Sequence, residues 1–134
     1  METRLPEVAL TFRPSVQETI TYQDPCRLGR FSGNYEKPRQ LLELIPDIHL
    51  VEMEQNRENA LCCGTSAWME CSNCSKATRT ERLQEALATG ARTLITACPK
   101  CQIHFTCAQR SAELDLEVID IYAYFLKQLG EDKA

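Results

Sequence analysis

The 134-residue chain has no apolar run approaching the roughly 18 residues that a bilayer crossing needs. Its opening, METRLPEVALTFRP, lacks the apolar core of a signal peptide. Both absences point to a cytoplasmic protein with no direct membrane span, as a single domain over residues 1–134 cut from something larger. Positive charge is also in deficit: the net charge is −4 and the pI about 5.2. A nucleic-acid binder usually carries a basic face, so that class is set aside. The small clusters Arg27 with Arg30, and Lys76 with Arg79 and Arg82, read as solvated surface. Histidine is scarce, with two in all, and tryptophan occurs once. Repeats and low-complexity segments are absent. With 43% apolar and 25% charged residues, the composition is that of a globular domain.

Cysteine, by contrast, is abundant, with eight residues. Without a secretory leader, metal or redox chemistry is favoured over a disulfide framework. Two of the eight stand side by side, in ENALCCGT. A bridge between neighbours is strained, because their Cα atoms lie about 3.8 Å apart and a relaxed disulfide wants roughly 5.5 Å.

Short β-rich runs occur at Val8–Phe12, Thr19–Gln23, His49–Met53, Thr93–Ala97 and Glu117–Asp120. Helical patterns alternate with most of them. One starts near Glu36, tolerates Pro38 in its first turn, turns Leu41, Leu42, Leu44 and Ile45 to one side, and stops at Pro46. The next has a capping box, Thr78 with Glu81, then Leu83, Ala86 and Leu87 on one face and Gly90 as the terminating glycine. A third opens at Cys98-Pro99, with Cys101, Phe105, Ala108 and Ala112 on one face. A fourth is capped by Asp120 and places Tyr122, Phe125, Leu126 and Leu129 at helical spacing. This alternation predicts an α/β fold: a Rossmann-like, mostly parallel sheet of about four strands with flanking helices. The short connection between Val8–Phe12 and Thr19–Gln23 leaves room for an antiparallel N-terminal edge pair.

On that frame Cys26, Cys62, Cys63, Cys98 and Cys101 all follow the C-terminal ends of strands, where open α/β sheets bind ligands. Three distant segments are thus expected to meet at one rim. Cys98 at an N-cap and Cys101 in the first helical turn sit where a helix favours thiolates. Soft sulfur donors suit iron–sulfur clusters, zinc or copper(I). Five sulfurs fit a multi-iron cluster better than one tetrahedral zinc, which takes four.

The pattern Cys26, 35 residues, Cys62-Cys63-Gly64, 33 residues, Cys98-Pro99-Lys100-Cys101 resembles the cysteine-rich CCG domain of the B-type and D-type polypeptides of heterodisulfide reductase and of related iron–sulfur oxidoreductases. The flanks TYQDPCRLGR, LVEMEQNRENALCCG and RLQEALATGARTLITACPKC are similar to the family's typical segments. The resemblance implies a [4Fe–4S] cluster, of non-cubane form in the reductases, held by Cys26, Cys62, Cys63, Cys98 and Cys101. Some relatives hold a conventional cluster or zinc instead. It further implies electron transfer or disulfide reduction, partners among other iron–sulfur or flavin subunits, a disulfide or quinone-linked substrate, and a complex at the inner face of a membrane. The alternative is a structural zinc module used for association.

The sequence departs from the family pattern in three ways. The doublet continues as Gly64-Thr65-Ser66-Ala67-Trp68 rather than with more glycines; Cys71-Ser72-Asn73-Cys74 adds a CxxC; and the motif occurs once, not twice. Cys71 and Cys74 read as free thiols, zinc ligands, extra cluster ligands or a redox dithiol. Cys107 is expected in the core, His104 and His49 as ordinary surface or packed residues, and Asp24-Pro25 as shaping the turn before Cys26. Trp68 either anchors its loop or shields the centre, and Tyr122 and Phe125 are expected in the core.

Overall fold

A computed structural model describes Phe12, residues 17–61, Cys63 and residues 73–129, with only the backbone of 73–75. Four parallel strands form one sheet in the order β2-β1-β3-β4: β1 Glu18–Gln23, β2 Ile48–Leu50, β3 Thr93–Thr96 and β4 Glu117–Asp120. The helices between and after them are α1 Glu36–Glu43, α2 Asn73–Ala88, α3 Pro99–Ser111 and α4 Ile121–Gln128.

β1 and β3 are the buried centre of the sheet, and their residues alternate between two cores. In register, Tyr22 lies beside Ile95, and Gln23 beside Thr96. Ile20, Tyr22 and Ile95 pack with Leu42 of α1 and with Ile121 and Tyr124 of α4. On the other face Leu94 packs with Leu83 and Ala86 of α2 and with Cys101 and Phe105 of α3. Parallel sheets covered on both faces bury their central strands this way. In this strand order the chain reverses its direction of winding between β1 and β3. A crevice at the C-terminal ends of those strands is where such sheets bind ligands.

Local chemistry explains the element ends. Asp120 accepts from the backbone N–H groups of Tyr122 and Ala123 and so caps α4. Cys98 is the extended N-cap of α3, followed by proline at the first helical position. Gly90, two residues beyond α2, has φ +84°, a conformation open to glycine.

Several expectations change. The run Val8–Phe12 lies outside the described residues except for Phe12, which forms an isolated antiparallel bridge with Leu129. Among the described residues β1 is hydrogen-bonded to β2 on one edge and to β3 on the other, both parallel. α2 begins at Asn73, so Thr78 is a helix-interior residue and the capping box does not cap. In α4 the buried residues are Ile121 and Tyr124, while Tyr122 is 68% exposed and Leu126 also faces out. Leu44 and Cys107 are exposed rather than core. Arg79 and Arg82, expected on a solvated surface, are buried.

Candidate metal centre

The rim above β1 and β3 is assembled from three stretches. The first leaves β1 through Gln23, Asp24 and Pro25 into a π-helical turn, Arg27–Phe31, with Cys26 at its N-cap. The Phe31 N–H donates to the Cys26 carbonyl at 3.1 Å, and the Gly29 N–H to the Pro25 carbonyl at 2.9 Å. Gly29 is required here by space: a Cβ would stand 2.7 Å from Tyr35 Cε1. The second stretch is the irregular segment leading to the cysteine doublet. The third is the β3–α3 junction with Cys98 and Cys101.

Irregular backbone that is half-buried needs partners for its carbonyls. Among the described residues of 55–63, arginines supply three of those partners. Arg82 Nη1 donates to the Gln55 carbonyl at 2.7 Å, Arg30 Nη2 to Ala60 at 3.1 Å, and Arg79 Nε to Cys63 at 3.3 Å. Gln23 Nε2 donates to the Leu61 carbonyl at 2.9 Å, while Gln23 Oε1 accepts from Arg82 Nε. Nothing in the one-dimensional pattern marks Arg79 and Arg82 as buried.

A second network fixes the start of the rim. Arg39 Nη1 and Nη2 each reach one oxygen of Asp24, both at 2.7 Å, and Nε reaches Glu52 at 2.6 Å. Arg39 also donates to the Tyr35 carbonyl at 2.6 Å, and its guanidinium lies 5.1 Å from the Tyr22 ring centroid. The Asp24 carboxylate additionally accepts the Arg57 N–H at 2.7 Å, joining the segment after β2 to the end of β1. Asp24 therefore does more than shape a turn. Its carboxylate holds two of the cysteine-bearing stretches in register. The Tyr22 hydroxyl, fully buried beside this network, has no acceptor among the described residues. Burial, reinforced by the Asp24 charge, pushes its ionisation well above the usual phenol range.

Against this frame Cys26, Cys63 and Cys101 line one cavity of about 80 Å³ together with Gln23, Asp24 and Leu61. Cys98 stands beside them: Cys63 and Cys98 are both close enough to act on the Cys101 thiol. Cys63, burial, and then the charge of Cys63 and Cys98 push the Cys101 thiol far above its ordinary range. The helix N-terminus does not prevail here, because neighbouring sulfurs and desolvation act more strongly on a metal-free thiol. A bound cation would reverse that balance. Among the described residues no three His, Cys, Asp or Glu side chains stand close enough to hold a single metal ion. The donor set is nonetheless soft, convergent and spread around a cavity, which fits a polynuclear thiophilic group better than one ion.

Cys62, Gly64, Trp68 and Cys71 lie outside the described residues, as does the side chain of Cys74. Cys107 is exposed and takes no part in the cavity. His104 is half-buried on α3 and His49 exposed on β2, and neither lines the cavity.

A family model described as a cysteine-rich domain, CCG, matches residues 20–106. The chain belongs to this cysteine-rich domain family. The matched span of this CCG domain runs from β1 into α3 and includes all three rim stretches. The D-type polypeptide of the dihydromethanophenazine:CoB–CoM heterodisulfide reductase of Methanosarcina acetivorans is 33% identical over 123 residues, covering 90% of this chain and 30% of that protein. A probable iron–sulfur-binding oxidoreductase of Bacillus subtilis is 39% identical over 89 residues, 64% of this chain and 12% of that protein. The B-type polypeptide of the CoM/CoB fumarate reductase of Methanothermobacter marburgensis is 34% identical over 112 residues, 79% of this chain and 22% of that protein. The CCG domain thus spans less than a third of the length of these relatives. No solved structure matches it significantly. Among the described residues no helix is long and apolar enough to cross a membrane.

Proposed function

We propose that this chain is the iron–sulfur redox domain of a heterodisulfide reductase-like oxidoreductase, with a [4Fe–4S] cluster held by Cys26, Cys62, Cys63, Cys98 and Cys101. The observation that carries the reading is the meeting of Cys26, Cys63 and Cys101 around one cavity at the winding reversal of the sheet, with Cys98 alongside. The names of the relatives support the same chemistry: one belongs to a heterodisulfide reductase and another is an iron–sulfur-binding oxidoreductase. Such a cluster supplies one-electron storage at a fixed point in the protein. The residues of this chain have four tasks there. The five thiols bind. The Asp24–Arg39–Glu52 network holds the end of β1 against α1. The arginine-bound carbonyls of 55–63 hold the doublet in place. Met53, Leu83 and Phe105 exclude water from below.

Reduction of a disulfide to two thiols takes two electrons and two protons. Other iron–sulfur or flavin subunits of the same complex, with the domain at the inner face of the membrane, deliver those electrons. The domain therefore works within a larger assembly rather than alone.

The test is anaerobic purification with iron, acid-labile sulfide and zinc analysis. The expected protein is brown, with several irons and matching sulfide per chain, and Cys63→Ser removes most of the iron while Cys107→Ser retains it. Mössbauer spectra distinguish a cubane from a non-cubane cluster. One zinc per chain with no sulfide would replace this reading by the structural module, and unchanged iron in Cys63→Ser would remove the ligand assignment.

A further inference from the structure

α2 presents a buried cation to the underside of the cysteine cavity. Arg82 is 0% exposed, one of the largest fully buried side chains in the protein. Its Nε donates to Gln23 Oε1, and its Nη1 to the Gln55 carbonyl and the Glu85 carboxylate. Its Nη2 has no acceptor among the described residues. Burial lowers the Arg82 pKa even with Glu85 beside it, so the immediate surroundings compensate the charge incompletely. Binding a carbonyl and an amide does not require a charge. A neutral glutamine can donate to both at a much smaller desolvation cost. Glu85 supplies one counter-charge, and the buried Nη2 left without an acceptor among the described residues accommodates a second anion close by.

The geometry says where that anion sits. Gln23 is both the acceptor of Arg82 Nε and a wall of the cavity lined by Cys26, Cys63 and Cys101. Arg82 thus lies one side chain beneath the cavity, on the sheet face shared with Cys63 and Cys101. By fixing Gln23 Oε1 it also leaves Gln23 Nε2 directed at the Leu61 carbonyl, two residues before Cys63.

We infer that Arg82 is the buried counter-cation of the cysteine centre, a positioning residue that acts on it through Gln23 and through its charge. The inference rests on the iron–sulfur reading above. A thiolate-bound cluster is anionic and becomes more so on reduction, and a nearby buried cation is weakly screened. Arg82 therefore favours the reduced state and raises the reduction potential. Glu85, on the same helix and partly buried, works against it.

The experiment is a spectroscopic redox titration of the anaerobic, iron-loaded full chain and of three variants. Arg82→Gln shifts the midpoint potential to more negative values, Glu85→Gln shifts it to more positive values, and Arg82→Lys stays near the parent. A role confined to holding the backbone would not move Arg82→Gln and Glu85→Gln in opposite directions. Both potentials unmoved, or moved the same way, would overturn the inference. Where Arg82→Gln does not fold or load, Glu85→Gln decides alone: an unmoved or more negative potential overturns it. A parent protein that loads no iron would instead overturn the iron–sulfur reading itself.

Discussion

Replacing Arg39 by methionine tests how the rim is held. Arg39 is 2% exposed and spans Asp24, Glu52 and the Tyr35 carbonyl. Methionine keeps much of the aliphatic stem but removes every donor. Asp24, whose side chain is 2% exposed, would be left as a buried carboxylate with only the Arg57 N–H. Removing one partner of a buried ion pair costs about 3–5 kcal/mol, whereas exposed pairs contribute about 0.2–1 kcal/mol. Glu52 is 30% exposed, so water screens its share and the Asp24 share dominates. The surviving bond from Arg57 places the expected loss near the lower end, about 3 kcal/mol. That is roughly a hundredfold change in the folded-to-unfolded ratio and a large part of the roughly 5–15 kcal/mol of a typical domain. Urea unfolding of the reduced, metal-free protein reads it directly. Asp24→Asn added to Arg39→Met should cost much less than the sum of the two single changes, because the stranded charge is gone. A loss below about 1 kcal/mol for Arg39→Met, or simple additivity in the double variant, would refute the argument.

Two smaller perturbations follow from the same region. Gly29→Ala drives a Cβ into the Tyr35 ring and should destabilise by about 1–3 kcal/mol, with Tyr35→Ala in the same chain recovering most of it in thermal melts. At Glu36, a hydrogen bond from Arg57 holds the carboxyl below the usual carboxylate range. A depressed folded pKa contributes stability that is full above the unfolded value of about 4.3 and lost as pH falls through the folded one. Glu36→Gln should therefore lie below the parent by a constant increment above about pH 5, and the two should converge as the pH falls through the lowered carboxyl pKa. A gap that widens on acidification would reverse the assignment.

The sequence carried the order of elements and the rim because both depend on punctuation. Pro99 after Cys98, Gly90 after α2 and Asp120 before α4 each act through one residue's local chemistry, and each sits at the element end its chemistry predicts. The start of α2 was not legible. Thr78 with Glu81 mimics a capping box, but the helix extends back to Asn73 through residues whose apolar spacing carries no signal. The phase of α4 was hidden for the opposite reason. Ile121 to Leu126 is apolar throughout, so no stripe stands out, and the packing of Ile121 and Tyr124 decides it. The buried arginines were missed because burial of a charge is a property of its partners. Gln23 and Gln55 lie 59 and 27 residues from Arg82, and no local window along the chain contains them together.

The cysteines around the cavity come from the exits of three different strands. Whatever joins Cys26, Cys63 and Cys101 also closes two chain loops, each more than thirty residues long. Cross-links of that span restrict the unfolded chain most, by a margin that grows slowly with loop length. The proposed metal group would thereby be a mechanical rivet as well as a redox group. Oxidative loss of it should loosen the very segments that present the sulfurs, so damage to the centre and exposure of its ligands would advance together.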